Sequence, residues 1–433
     1  MIAYGFGDFS QNILFQVVSF HLLFYLTETV GLSASFVGTT FLAARCWDAL
    51  NDPIMGYISS RTRSRWGSYR SYLLWGIPGM VGAMYWLFNV PAPESGGYEY
   101  FVISYILFGM AFTCYNIPYG AMTAVMTTDA RERGKLTGFR MTFAALGGIV
   151  GATCFLPVVD WAGGGAAGYQ WASGCFAGMI LLSMIPPFLL VKERIAVRPA
   201  DLPTYTRIRA LLGHNRPFWL LCLVFGLIFC GYALFAATIP YAARYIFHDE
   251  ALASPLILTL LGAMALAIPI WTWVGTRVGK KNVFMIGSLF FLISFLVLGC
   301  IPGEVDTVWV FLIFGLKGIG YGAGSYASWA LLPDTIEYGK WKSGKQAAGI
   351  TYGVYGVFFK LGIGLGAALA GWILASVGYT QGMESSSALE TGIRMSVAWG
   401  PLGLSLLAWA CLYRYPLTEA LHRDMMVHMD SQD

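Results

Sequence analysis

The residues able to do chemistry lie in short polar runs set into apolar surroundings. The densest run is Arg45, Asp48, Asn51 and Asp52. Read as a helix, Arg45 and Asp48 stand three apart and Asp48 and Asp52 four apart, so all three can share a face. Two carboxylates one turn apart repel unless a cation lies between or beside them. Oxygen ligands of this kind suit Na⁺, Li⁺ or a hydronium-like species, and a carboxyl able to hold a proton would serve H⁺ coupling. The plainer alternative is an Arg45–Asp48 salt bridge that only packs two helices. A second run holds Asp8, Gln11, Asn12 and Gln16. Asp8, Asn12 and Gln16 (or Ser19) fall on one helical face. Thr113, Tyr115 and Asn116 stand just before Pro118, whose missing N–H loosens a helix there. Arg140 and Lys360 are solitary cations in apolar stretches. Arg140, one turn inside its segment, can snorkel to water. Lys360, amid Phe358, Phe359 and Leu361, has no such exit and is expected to neutralise an Asp. Lys317 is similarly placed, and the sequence assigns it no role.

The elements that carry these groups follow from composition. Of 433 residues, 57% are apolar, 16% aromatic and only 12% charged. An ordinary soluble domain carries roughly 25% charged residues, and a disordered chain needs low hydrophobicity, so both classes are excluded. A membrane barrel would show short alternating segments rather than long continuous apolar runs. Apolar segments lie near 4–27, 35–58, 71–90, 98–126, 138–160, 171–191, 217–247, 255–276, 282–301, 307–332, 347–377 and 391–413. The fold class expected is therefore an all-α polytopic membrane protein with twelve transmembrane helices of ~20 residues each. Connections after even-numbered segments hold Lys and Arg, among them Arg61, Arg63, Arg65, Arg131, Arg133, Arg277, Lys280, Lys340 and Arg414. Odd-numbered connections hold acids instead, such as Glu28, Glu94, Asp249, Glu250 and Glu384. By the positive-inside rule the basic connections and both termini face the cytoplasm of a cell (inner) membrane. The basic loops are thus topology signals rather than nucleic-acid patches, and the net charge of +4 points to no polyanionic partner.

The halves echo one another. Asp129, Glu132, Gly134 and Lys135 have the same spacing as Asp334, Glu337, Gly339 and Lys340, and Arg140 and Lys345 follow their Asp at equal distance. Arg65-Trp-Gly67 likewise matches Arg277-Val-Gly279. Six-plus-six parallel repeats describe the major-facilitator fold, whose substrate site lies between the halves near the midplane. The organisation expected is an N-terminal six-helix bundle over 1–191, a central cytoplasmic loop over 192–216, a C-terminal six-helix bundle over 217–413 and a cytoplasmic tail over 414–433. The eight Cys sit in apolar stretches as packing residues. The run from Gly339 to Gln346 misses a phosphate-binding loop because Gln stands where Ser or Thr must hold Mg²⁺. The Gly ladders at 318–324 and 362–366 read as helix-packing faces. No nucleophile–base pair is present, so neither an enzyme nor a cofactor is expected.

Tyr4-Gly-Phe-Gly-Asp8-Phe, Arg45-Cys-Trp-Asp48-Ala-Leu-Asn51-Asp52-Pro53 and Arg61-Thr-Arg-Ser-Arg65-Trp-Gly67 together resemble the glycoside–pentoside–hexuronide:cation symporters, the melibiose-permease relatives. Asn116-Ile-Pro118-Tyr-Gly and Asp334-Thr-Ile-Glu337-Tyr-Gly339 extend the resemblance into both halves. It implies cation-coupled sugar uptake by a monomer, with Na⁺ or H⁺ as coupling ion. Asp48 and Asp52 would be the cation carboxylates, and Na⁺ ligands if sodium is used, with Asn51 and Thr113 beside them. Lys360 and Arg45 would serve coupling. Asp8, Gln11, Asn12, Gln16, Asn116 and Arg140 would face the substrate. The melibiose branch has acids where this chain has Asn12 and Asn116, which points away from α-galactosides. With Arg140 and Lys360 near, an anionic sugar is one expectation. A lysolipid or other amphiphile carrier on the same scaffold is the alternative.

Overall fold

A computed structural model describes residues 1–127, 130–194, 209, 212–302, 305–343, 348–417, 421 and 425. Among them are twelve long helices. The first six are α1 (Ile2–Phe24), α2 (Ala34–Arg61), α3 (Arg70–Leu87), α4 (Gly97–Met126), α5 (Ala130–Trp161) and α6 (Gly165–Leu190). The second six are α7 (Arg216–Tyr245), α8 (Ala253–Val278), α9 (Lys280–Cys300), α10 (Thr307–Ser343), α11 (Ala348–Ser376) and α12. The last runs Ser387–Arg394, through a π turn at Met395–Trp399, to Gly400–Tyr413. A second π turn, Tyr25–Thr29, ends α1. Ten of the twelve are long and apolar enough to cross a membrane on composition alone. The other two are α2, which carries the polar run at 45–52, and α3. Both are held in the bundle by neighbours: α2 packs on α4 and α11, and α3 on α4 and α6.

Each half packs internally, α1 on α5 and α6, and α10 on α8 and α9. The halves meet through α1–α7, α2–α11 and α5–α8. Without a hydrophobic drive between helices in lipid, small residues set how closely these pairs approach. A Cβ on Gly371 of α11 would lie 2.2 Å from the Ala34 carbonyl of α2. One on Gly364 would strike the Arg45 side chain at 2.6 Å. The 362–366 ladder therefore seats α11 against both α2 and α7.

Two sequence expectations need correction. The tenth apolar segment was expected to end at 332, with Asp334–Lys340 as a loop, but α10 runs on to Ser343 with Pro333 inside it. Proline removes one helical N–H, yet the helix continues through it, and side chains hold the segment around it. Thr335 Oγ1 donates to the Leu332 carbonyl (2.7 Å), Asn215 donates to the Thr335 carbonyl (2.7 Å), and Lys280 pairs with Asp334 (2.6 Å). The matching basic stretch in the first half lies in α5, which begins at Ala130 rather than near 138. Asp129 and Lys345 of the paired motif, and most of 192–216 and 414–433, lie outside the described residues.

Candidate functional site

Between the halves lies a cavity of about 210 Å³. Asp8, Gln11 and Asn12 of α1, Arg45 of α2, Asn116 of α4 and Lys360 of α11 supply its polar wall, and Phe15, Phe112 and Phe359 its apolar one. A smaller apolar recess lined by Arg45, Tyr105, Tyr232 and Ile363 adjoins it through Phe15 and Arg45.

Charges in this region come in pairs. Arg45 Nη1 donates to Asp48 Oδ2 at 2.9 Å within α2, the i,i+3 contact the spacing allowed. Asp48 Oδ1 is buried without a hydrogen-bond partner, close to Gly109 of α4. Asp52 is held at both oxygens. Thr113 of α4 donates to Oδ1 at 2.9 Å, and the Lys360 ammonium donates to Oδ2 from the other half of the molecule. The two residues are 308 apart in sequence, so no local pattern could have joined them. Asn51, next to Asp52 in the chain, is half-buried.

Arg140 is placed differently from a free substrate contact. Its guanidinium grips Asp8 from two nitrogens, Nε to Oδ2 at 2.7 Å and Nη2 to Oδ1 at 3.2 Å. Nη1 donates to Thr123 at 3.1 Å, and the Tyr119 hydroxyl donates to the same Asp8 carboxylate at 2.8 Å. Tyr4 closes the cluster through Thr123 and the Tyr119 backbone. Sequence reading passed over Tyr4, Tyr119 and Thr123. Their signal was weak: Tyr4 and Asp8 stand four apart, as do Tyr119 and Thr123, so each pair could share a helix face.

The amides remain. Asn116 donates to Gln11 Oε1, Asn12 donates to the Asp8 carbonyl at 2.9 Å, and both residues line the cavity. Gln16 is apart from them. It faces α5 at Gly148, with Oε1 buried and unpartnered. Among the described residues no group of three or more His, Cys, Asp or Glu could hold a metal ion, so a cation here would rest on two carboxylates and neutral oxygens.

The halves are also joined at the end where the acidic connections lie. Glu28, which the sequence placed among the acids of the connection after the first segment, is buried there in the π turn that ends α1. It accepts from the Tyr245 hydroxyl and pairs with Arg244 of α7 at 3.3 Å. Gln381 donates to the carbonyls of Glu28 (3.0 Å) and Thr29 (3.2 Å).

The sequence pattern of the family described as MFS/sugar transport protein matches residues 3–419. The chain belongs to this family. It is 32% identical to the isoprimeverose transporter of Lactiplantibacillus pentosus, over 95% of this chain and 87% of that one. It is 33% identical to an uncharacterized symporter of Bacillus subtilis (strain 168), over 100% of this chain and 94% of the relative. A solved structure from a study of proton-dependent oligopeptide transporters superposes over 98% of both chains with a TM-score of 0.70 at 12% identity, which bears on the fold alone. The chain is thus a major-facilitator membrane transporter, in the glycoside–pentoside–hexuronide:cation symporter group its motifs resemble, and not an enzyme.

Proposed function

We propose that this sugar-family transporter is a cation-coupled symporter of a glycoside, working by alternating access with both termini in the cytoplasm of a bacterial inner membrane. The observation that carries this reading is the Asp52 carboxylate, shared between Thr113 of its own half and Lys360 of the other. A cation entering beside the unpartnered Asp48 Oδ1 competes with the Lys360 ammonium for Asp52. Binding of Na⁺ or H⁺ then loosens a bond between α2 and α11, and the freed ammonium turns to the cavity. Sugar hydroxyls pair with the amides of Gln11, Asn12 and Asn116, which both donate and accept. Each ligand favours the state in which the other is held, and that linkage is what couples their movement.

The pairing also bears on substrate charge. Arg45 and Arg140 are each already bound to a carboxylate, so neither guanidinium is free for a uronate or sulfonate. With both guanidiniums held, the wall suits a neutral glycoside, such as a pentose-containing disaccharide, whose hydroxyls also accept from the freed Lys360 ammonium. Uptake of a panel of labelled neutral and anionic glycosides into vesicles tests the proposal. Accumulation of a neutral glycoside above its outside concentration, only under an inward Na⁺ or H⁺ gradient, is expected. Accumulation with no gradient, or of lysolipid in place of any sugar, overturns it.

A further inference from the structure

The C-terminal half contains a buried base that the site above leaves unused. Lys317 of α10 is wholly buried, and its Nζ has no hydrogen-bond partner. The amine stands over the ring of Phe235 of α7 at 3.7 Å, over Phe295 of α9 at 3.9 Å and near Phe314 of its own helix at 5.6 Å. No carboxylate pairs with it among the described residues. On α7, α8 and α9, which surround this part of α10, charged side chains stand only at the ends: Arg216 and Arg244, Arg277, and Lys280 and Lys281. The titratable neighbour on α10 is Tyr321, one turn on, whose hydroxyl is likewise buried and unpartnered. Its ring meets Tyr232 of α7 edge-on at 5.4 Å, and Tyr232 lines the recess between the halves.

An ammonium enclosed this way has three ring faces for its charge but no acceptor for its three hydrogens. A neutral amine loses the cation–π attraction but no longer carries a charge without an anion in an apolar interior. Neither form is well satisfied, unlike Arg45 and Arg140, which are fully answered by carboxylates. A base so poised responds to any rearrangement that admits water along the Tyr232–Tyr321 side of the cage. We infer that Lys317 is a proton-binding site of the C-terminal half, distinct from the carboxylates of α2. Its Nζ lone pair takes a proton from hydronium, leaving water, when the halves rearrange, and returns that proton to water when the cage re-forms. Transport then carries a proton-linked step even where Na⁺ occupies the Asp48–Asp52 region.

The first test needs no substrate. Purified full-length protein in detergent and its Lys317→Met variant, which fills the cage with a side chain of similar length, are titrated side by side. Over the pH range in which the protein stays folded, the wild type is expected to exchange about one more proton per chain than the variant. Superimposable curves overturn the proposal, because the amine then never changes charge in that range. If the methionine variant fails to fold, Lys317→Arg serves the same comparison, since a guanidinium does not titrate there. In liposomes, Na⁺-driven glycoside uptake by Lys317→Met should persist but lose a pH dependence that the wild type shows. Because the titration reads the amine whether or not sugar moves, failure of the symport reading leaves this test intact. A variant whose uptake keeps the wild-type pH profile overturns the proton-linked step.

Discussion

The two halves bury their basic side chains in opposite ways. In the N-terminal half each guanidinium sits on an acid of the same half, Arg45 on Asp48 and Arg140 on Asp8. In the C-terminal half Lys317 lies among phenylalanines with no acid paired to it among the described residues, and Lys360 reaches across to Asp52. Guanidinium–carboxylate pairs made within one half, bidentate at Arg140 and single at Arg45, suit a half that stores charge permanently. Flexible ammonium groups on single or absent partners suit a half whose charges must let go. The asymmetry matters because both halves have the same six-helix plan, so the difference lies in side chains alone. On the proposed mechanism the moving contact is Asp52, a central carboxylate bound from both halves.

The largest effect should come from unbalancing a stored pair. Asp8→Asn leaves the Arg140 guanidinium without its carboxylate in a mostly buried site. Breaking one partner of such a pair costs about 3–5 kcal/mol, because the other charge is left uncompensated. Unfolding in detergent should register that loss, and the Asp8→Asn/Arg140→Gln double variant should recover most of it. A single variant as stable as wild type would show that this half does not depend on pairing.

Asp52→Asn comes next, and it separates coupling from folding. It strands the Lys360 ammonium, 17% exposed against 18% for Arg140, so the Asp52→Asn/Lys360→Gln double variant serves as the folding control. One charge moved down 100 mV supplies about 2.3 kcal/mol, or roughly fifty-fold accumulation. An amide cannot hold the cation's charge, so that accumulation in vesicles should vanish while downhill exchange of sugar continues. Retained uphill transport would remove Asp52 from the cation site and break the contrast between stored and shared charge.

Much of this was legible in the sequence, and the missing parts share a cause. Apolar run length located all twelve helices, because the bilayer leaves an exposed backbone no other solution. The i,i+3 contact of Arg45 and Asp48 was readable because one helix supplies both. Asp8 with Arg140 was not, since 132 residues separate two partners that only the packing of α1 on α5 brings together. Resemblance, rather than spacing, pointed Lys360 at the α2 acids. The end of α10 was misread because proline and charges signal a loop in water, whereas here Asn215 and Lys280 satisfy the segment. Glu28 read only as an acid of a connection because nothing local reveals that a π turn pairs it with Arg244 of α7.

A more moderate effect is expected in the sugar wall. Asn116→Leu keeps similar volume but removes an amide that would meet a hydroxyl, at about 1–3 kcal/mol. Glycoside affinity by calorimetry should fall about ten-fold or more, at ~1.4 kcal/mol per decade, and Asn12→Leu should behave alike. Cation binding should be little changed, since neither amide touches Asp48 or Asp52. Equal affinity in both variants would place the sugar elsewhere in the molecule.

The smallest effect sharpens the comparison at the acidic end, where a contact between halves is again made by ions. Glu28→Gln keeps an oxygen to accept from Tyr245 but gives up the charge that pairs with Arg244. Arg244 is 37% exposed and keeps a second partner in Glu250 at 2.9 Å, so little is stranded. A partly exposed pair of this kind is worth about 0.5–1 kcal/mol. The equilibrium between states closed and open at this end should therefore shift about two- to five-fold towards open, by the ordinary relation between free energy and population. Single-molecule energy transfer between dyes placed on the two halves at this end would read the shift. Raising the salt concentration should shrink the difference between variant and wild type, because exposed pairs are screened while the Arg140–Asp8 pair is not. A shift much larger than five-fold would mean that Glu28, like Asp52, is a principal bond between the halves, and the acidic end would then rank with the midplane as a place where charge is shared.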